Sequence, residues 1–410
     1  MNEDLIPTQD RALPAKKYDA ILLASFGGPE GQDDVIPFLR NVTKGRGIPD
    51  ERLEEVAHHY RAYEGVSPIN EQNRQLQQQL QEEFKARGVD LPILWANRNW
   101  DPYFVDVFKK AHEDGYKNIL AIVTSAYSSY SGCRQYRENF ADILEQTGLT
   151  GKLTIDKVRQ YFDHPGFIKP FIEGTEESVA KMAKACQEKG IDTPIHVMFV
   201  THSIPHADAD VSGPGAPIKG PNEDHGTGAY VAQHEAVRDI IIKSIKKPQG
   251  VNVEHSLVYQ SRSGNPATPW LEPDINDAIA ELKDVAGVIV VPIGFVSDHM
   301  EVVWDLDNEA KESAEEAGIL FDRVATPGIS EQFVSGLTDL VLERCAGYEN
   351  KLKTKAGCSM IPQLGPWFDE CSITCCVNQM GELATTNNLA TELDKAFIED
   401  AKKSNSKKYA

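Results

Sequence analysis

Continuous apolar runs bounded by turn formers recur along the chain. They are DAILLASF (19–26), LPILWANR (91–98), NILAIVTSAY (118–127), IHVMFVTHS (195–203), NVEHSLVYQS (252–261) and GVIVVPIGFV (287–296). Runs of this length without strict alternation predict strands buried on both faces. Between them lie segments with helical spacing. DDVIPFLRNV (33–42) and YFVDVFKKAHEDG (103–115, stopped by Gly115) predict helices, and YVAQHEAVRDIIIKSIKK (230–247) predicts another. EQNRQLQQQLQEEFKARG (71–88) predicts a polar helix with a narrow apolar stripe. Strands alternating with helices imply an α/β fold, with parallel sheets flanked by helices. No short internal repeat is visible, yet the two halves read as similar α/β domains joined near DHPGFIKPFIEG (163–174).

The expected division is an N-terminal α/β domain over 17–165 and a C-terminal α/β domain over 166–345. A Cys-rich extension over 346–380 and a polar helix and tail over 381–410 follow. The extension contains TKAGCSMIPQLGPWFDECSITCC (354–376), which is rich in turn formers and without clear period.

Bulk properties narrow the function. A chain of 410 residues is long for one core and comfortable for two. A formal net charge of -20 argues against nucleic acid as a partner. The first sixteen residues lack the apolar core of a signal peptide, and no apolar run is long enough to span a bilayer. A cytoplasmic location is therefore expected, and a monomer is the default expectation. Seven cysteines are too sparse for a disulfide scaffold. Cys358, Cys371, Cys375 and Cys376 crowd the extension, while Cys133, Cys186 and Cys345 are scattered.

Sites in open α/β sheets form beyond the carboxyl ends of strands. Three such ends carry unusual residues: Phe26-Gly27-Gly28-Pro29, Thr201-His202-Ser203, and Ser297-Asp298-His299 leading to Glu301. FGGPEG does not match a dinucleotide fingerprint, and Pro29 removes an amide that could face a phosphate. It reads as a turn that lets the backbone approach a neighbour closely. Glu301, Asp305 and Glu309 fall at i, i+4 and i+8, on one face of a helix. Such a row is a solvated acidic face or a ladder of hard oxygen ligands for a divalent cation. His202 is a structural imidazole or a proton acceptor. CSITCC together with Cys133 offers four thiolates, which suit zinc or an iron–sulfur cluster.

Taken together, these segments resemble the ferrochelatases. The matching stretches are SFGGPEG (25–31), YEGVSPINEQNR (63–74), FVTHSIP (199–205), QSRSGNPATPWLEPD (260–274) and VPIGFVSDHMEV (291–302), in the family's order. SGCRQYRE (131–138), GRGIP (45–49) and the Cys-rich tail resemble the actinobacterial branch, which is associated with coproporphyrin III and a [2Fe-2S] cluster. The resemblance implies two Rossmann-like, chelatase-type domains around a porphyrin cleft. It implies His202 and Glu301 as the facing catalytic pair, with iron(II) as substrate on a path through His202, Glu301, Asp305 and Glu309. Phe26, Arg46, Ser67 and Tyr136 are the implied porphyrin contacts. Some relatives have a tyrosine where this chain has Phe26, and an arginine where it has His59. Cys133, Cys371, Cys375 and Cys376 are the implied cluster ligands, with Cys358 in reserve. The expected activity is insertion of iron(II) into coproporphyrin III in haem biosynthesis. The alternatives are protoporphyrin IX as substrate, a chelatase for another metal such as cobalt, or a porphyrin carrier or sensor on the same fold.

Overall fold

The computed structural model describes residues 16–45, 47–213, 228–263, 267–346, 359–361 and 375–377, together with Leu364, Trp367, Cys371 and Thr385. Among these residues, eight strands form two parallel sheets. The first contains β1 (Ala20–Ser25), β2 (Ile93–Asn97), β3 (Asn118–Val123) and β4 (Thr154–Lys157), in the spatial order β2-β1-β3-β4. The second contains β5 (Ile195–His202), β6 (Val253–Gln260), β7 (Gly287–Val291) and β8 (Leu320–Arg323), in the order β6-β5-β7-β8. The two sheets thus share one layout. Each central strand is paired on both sides: Ala24 faces Ala96 and Val123, and Phe199 faces Leu257 and Val291. Full burial of β1 and β7 explains their unbroken apolar sequences.

Helices cover the sheets. In the first half these are α1 (Val35–Val42), α2 (Asp50–Ala62), α3 (Ile69–Ala86), α4 (Phe104–Glu113) and α5 (Gln135–Gln146). α6 (Pro165–Lys189) carries the chain onward, followed by α7 (His206–Asp210), α8 (Ala229–Ser244), α9 (Ile275–Glu281), α10 (Met300–Val302), α11 (Lys311–Glu316) and α12 (Glu331–Ala346). The polar helix α3 buries its stripe of Leu76, Leu80 and Phe84. α6 starts with a proline in its first turn and ends on Gly190 in the left-handed region, φ 66°. The domain boundary expected at 165/166 falls at the first residue of this helix.

α12 returns the chain to the first half. Arg87, just past the end of α3, pairs with Asp339 at 2.7 Å, and Arg159 pairs with Glu343 at 3.0 Å. Arg344 reaches Asp156 at 3.3 Å. One buried cluster includes Ile21 and Leu23 of the first sheet with Val197 and Phe199 of the second. No helix among the described residues is long and apolar enough to cross a membrane.

The acidic row departs from the simple α-helix that its spacing predicts. After the single turn of α10, residues Val303–Ala310 form a π-helix. Val302, Leu306 and Ala310, also four apart, are fully buried against the second sheet. The apolar row anchors this wider coil and turns Glu301, Asp305 and Glu309 to the other side.

Candidate functional site

His202 is the last residue of β5, and Gln260 is its register partner at the end of β6. The loop after β7 brings Glu301 to the same strand ends. His202 Nε2 lies 3.6 Å from Glu301 Oε1. The second oxygen, Oε2, is 3.8 Å from His299 Nδ1. One carboxylate therefore stands between two imidazoles. His202 Nδ1 bonds the Ser203 carbonyl, which can only accept, so Nδ1 carries a proton and Nε2 faces Glu301.

Desolvation pulls the His202 imidazole down, but the charge of Glu301, its hydrogen bond and the Ser203 carbonyl outweigh this and leave it above the usual value. Desolvation likewise opposes ionisation of Glu301, yet His202 and His299 hold it down to about 2. Burial keeps His299 below its ordinary value. Asp305 is pushed up to about 7, mainly by desolvation and further by Glu301 and Glu309, with a Ser261 hydrogen bond opposing. Two successive acids of one row, Glu301 and Asp305, are thus shifted in opposite directions.

Their partners differ too. Asp298 and Asp307 are both answered by Arg323, and Thr326 also donates to Asp298. Among the described residues, no lysine or arginine pairs with Glu301, Asp305 or Glu309. Asp305 accepts from Ser261 Oγ and from Gln260 Nε2 at 3.3 Å. Glu309 accepts from Trp304 Nε1 at 2.9 Å. The Trp304 ring stacks on His59 at 4.3 Å, joining α2 to the π-helix. Asn308 donates to Tyr63 across the same boundary at 2.7 Å. The Tyr60 hydroxyl of α2 is pushed up by burial and then by the charges of Glu301 and Asp305, which sets it beside the row.

Phe26 follows β1 and is 37% exposed, with its ring edge-on to Phe38 at 6.3 Å. Phe38 in turn meets Tyr60 at 5.8 Å. An aromatic line therefore runs from Phe26 toward the acids. Ser67 is buried and its amide donates to the Pro29 carbonyl at 2.9 Å. A Cβ on Gly28 would sit 2.7 Å from Ser67 Cβ, so the glycine is required by close packing of protein on protein. Tyr136 lies elsewhere. Its ring is buried against Phe104 and Phe140, beneath the Arg98 guanidinium at 3.7 Å. These are the surroundings of a core residue and give no support to its expected porphyrin contact. Arg46 and Cys358 lie outside the described residues.

The four expected cysteines converge. Cys133, Cys371, Cys375 and Cys376 are all buried. Cys133 and Cys371 share a hydrogen bond, Cys371 meets Cys375, and Cys375 Sγ lies 3.8 Å from Cys376 Sγ. Arg137 and Lys157 bring positive charge to this group. Hydrogen bonds from Cys133 and Cys375, with that charge behind them, hold the Cys371 thiol well below its usual value. Four buried thiols beside two cations fit an anionic, thiolate-bound cluster. Among the described residues no three His, Cys, Asp or Glu side chains form the ligand set of a single ion.

Sequence reasoning missed Gln260, Ser261, Tyr60 and Trp304 as members of the site, and singled out the strand end holding His299 without giving that residue a role. The strand-end rule that found His202 also points to Gln260 and Ser261. Tyr60, in the last turn of a helix, gives no such signal.

Several known proteins are similar to this chain. The ferrochelatase family profile matches residues 18–345. The "Coproporphyrin III ferrochelatase" of Leifsonia xyli is 57% identical over 364 residues, covering 88% of this chain and 91% of that protein. Its namesake in Streptomyces coelicolor is 49% identical, covering 89% and 94%. That of Tropheryma whipplei is 48% identical, covering 90% of each. Among solved structures, SirB from Bacillus subtilis with Fe3+ covers 82% of this chain and 98% of its own at 10% identity, with a TM-score of 0.42, too low to carry an argument. A family profile spanning the bulk of the chain and relatives of this identity lead to one conclusion: the chain belongs to the ferrochelatase family.

Proposed function

We propose that the protein inserts iron(II) into coproporphyrin III, releasing two pyrrole protons and forming coprohaem. The observation that carries this reading is the His202–Glu301 pair, 3.6 Å apart at the strand ends, continued by acids that no lysine or arginine among the described residues neutralises. Iron(II) is the counter-charge this row lacks.

His202 is the proton acceptor. With Nδ1 held by the Ser203 carbonyl, its Nε2 is the free basic atom. The Glu301 carboxylate raises its proton affinity, which favours removal of a pyrrole proton. Iron arriving at Glu301 cancels the charge that held that proton, so the imidazole releases it. Glu301, at about 2, stays ionised and binds metal, whereas Asp305, near 7, can take up a proton at neutral pH. Phe26 and Ser67 contribute to the porphyrin wall, and Arg46 pairs with a porphyrin carboxylate. Cys133, Cys371, Cys375 and Cys376 hold a [2Fe-2S] cluster, which supplies a redox-sensitive centre and no electron to an insertion that has no net redox change. The shared layout of the two sheets supports a two-domain division at 165/166, and the reading takes the protein as a cytoplasmic monomer.

Anaerobic assays with coproporphyrin III and protoporphyrin IX test the proposal. Turnover with the former should exceed that with the latter. His202→Ala should lower kcat by about 10²–10⁴-fold, with porphyrin binding retained by fluorescence quenching. Near-normal turnover in that variant would overturn the assignment of His202. Tight porphyrin binding without metallation by the native protein would favour a carrier.

A further inference from the structure

The main chain under His202 is held by a residue outside the carboxylate row. The Tyr230 side chain is buried, and its hydroxyl donates to the His202 carbonyl at 2.8 Å. A phenol has one proton, so the contact of the same oxygen with Thr201 Oγ1, also 2.8 Å, is a bond donated by Thr201. Thr201 cannot shift easily, because it is packed against the backbone of Gly294, where a Cβ would lie 2.2 Å from Thr201 Oγ1. The tip of β5 is thus locked between Gly294 and Tyr230.

Tyr230 sits in the first turn of α8, and that turn is fastened to Ser212. The Tyr230 amide donates to Ser212 Oγ and the Ala229 amide to the Ser212 carbonyl, each at 2.8 Å. The next residue, Gly213, exchanges two hydrogen bonds with Cys376. Its amide donates to Cys376 Sγ at 3.2 Å, and its carbonyl accepts from the Cys376 amide at 3.3 Å. On the far side, the Tyr230 carbonyl accepts from His234 Nδ1 at 2.7 Å, and the His234 ring is stacked on Tyr127 at 3.6 Å. A continuous line of hydrogen bonds and short peptide links therefore runs from Cys376 through Gly213, Ser212 and Tyr230 to His202.

The geometry points to Tyr230 as a positioning residue for His202, and as the link through which the state of Cys376 reaches the iron site. The inference rests on His202 as proton acceptor, as proposed above. Tyr230 touches no substrate. It acts by fixing the peptide from which the imidazole projects, and its own place depends on the Ser212–Gly213 turn that Cys376 holds.

The test uses the full chain, purified anaerobically. Tyr230→Phe removes the hydroxyl and keeps the ring. It should lower kcat with coproporphyrin III about tenfold and leave the porphyrin KM within about twofold, because one bond at the strand tip is lost and the porphyrin contacts are not. In a His202→Ala background the same substitution should have no further effect, since residues acting through one another are non-additive. An equal loss in both backgrounds would overturn the positioning role. Hydrogen exchange provides the readout that is independent of turnover. Protection in the peptide 199–205 should fall in Tyr230→Phe, in Cys376→Ser and in Ser212→Ala, the last interrupting the line without touching a cysteine. Neither of the latter two should add to the effect in the Tyr230→Phe background. Unchanged protection in both Cys376→Ser and Ser212→Ala would overturn the link to the cysteine. Near-normal turnover of His202→Ala would refute the functional reading instead, and the exchange data would still judge the linkage.

Discussion

Replacing Glu301 by Gln keeps the shape of the side chain and removes its charge. Two unit charges 3.6 Å apart attract by about 1 kcal/mol in water and by about 4–5 kcal/mol at an effective dielectric constant of ~20. The His202 and Glu301 side chains are 30% and 49% exposed, so solvent screening selects the lower figure. The expected loss is therefore about 1 kcal/mol of imidazolium–carboxylate interaction. With Glu301 gone, burial becomes the principal influence on His202, and its titration should move from above the ordinary imidazole value to below it. Nitrogen-detected NMR of histidine-labelled protein reads this directly, with His202→Ala assigning one signal among the 11 histidines. The sign also fixes a stability signature. A raised His202 pKa stabilises the fold fully below the unfolded imidazole value near 6.5, and that contribution is lost as pH rises through the folded value. On the acid side, the depressed Glu301 pKa gives stability that is lost as pH falls through about 2. The advantage of the native protein over Glu301→Gln should accordingly be largest between about pH 4.5 and 6.5. A His202 signal unmoved by the substitution would refute the electrostatic account of the pair.

Other expectations follow from the same contacts. Asp305→Asn removes a group that titrates near 7, so the rise of kcat/KM for iron(II) through neutral pH should flatten in a pH–rate profile. Gly294→Ala forces a Cβ to within 2.8 Å of the Thr201 backbone, and should cost about 1–3 kcal/mol in thermal or chemical denaturation. Arg159→Met removes the guanidinium that answers two buried carboxylates, Asp163 and Glu343, and should cost about 3–5 kcal/mol. Asp163 also accepts from the Trp367 amide at 3.3 Å, so protease sensitivity of the Cys-rich segment should rise with it.

The runs of the central strands β1, β3, β5 and β7 were legible because strands buried along most of their length have no polar side to disguise them, and β2 and β6, though at edges, keep enough apolar residues to be read. The edge strands β4 and β8 were not, being four residues each and carrying Asp156, Lys157, Asp322 and Arg323. At an edge, one flank is open and polar residues are tolerated, so the apolar signal fades. His202 and Glu301 were legible from their places after strands and from the motifs around them. The π-helix was not, because rows four residues apart suit an α-helical reading equally well. Nor was Tyr230, whose role depends on a hydroxyl meeting a carbonyl 28 residues away, and no local pattern encodes such a meeting.

His202 ends β5 and Glu301 lies on α10, beyond the end of β7 in the same sheet, while Phe26, Ser67 and Tyr60 come from the other half. The spacing of the pair is therefore set by elements of the second half alone. A hinge between the halves could widen or narrow the opening for a bulky planar guest and leave that spacing untouched. In such a build the spacing of the pair is separable from the width of the opening, whereas the outer end of the acidic row, tied to α2 through Trp304 on His59 and to Tyr63 through Asn308, would feel both.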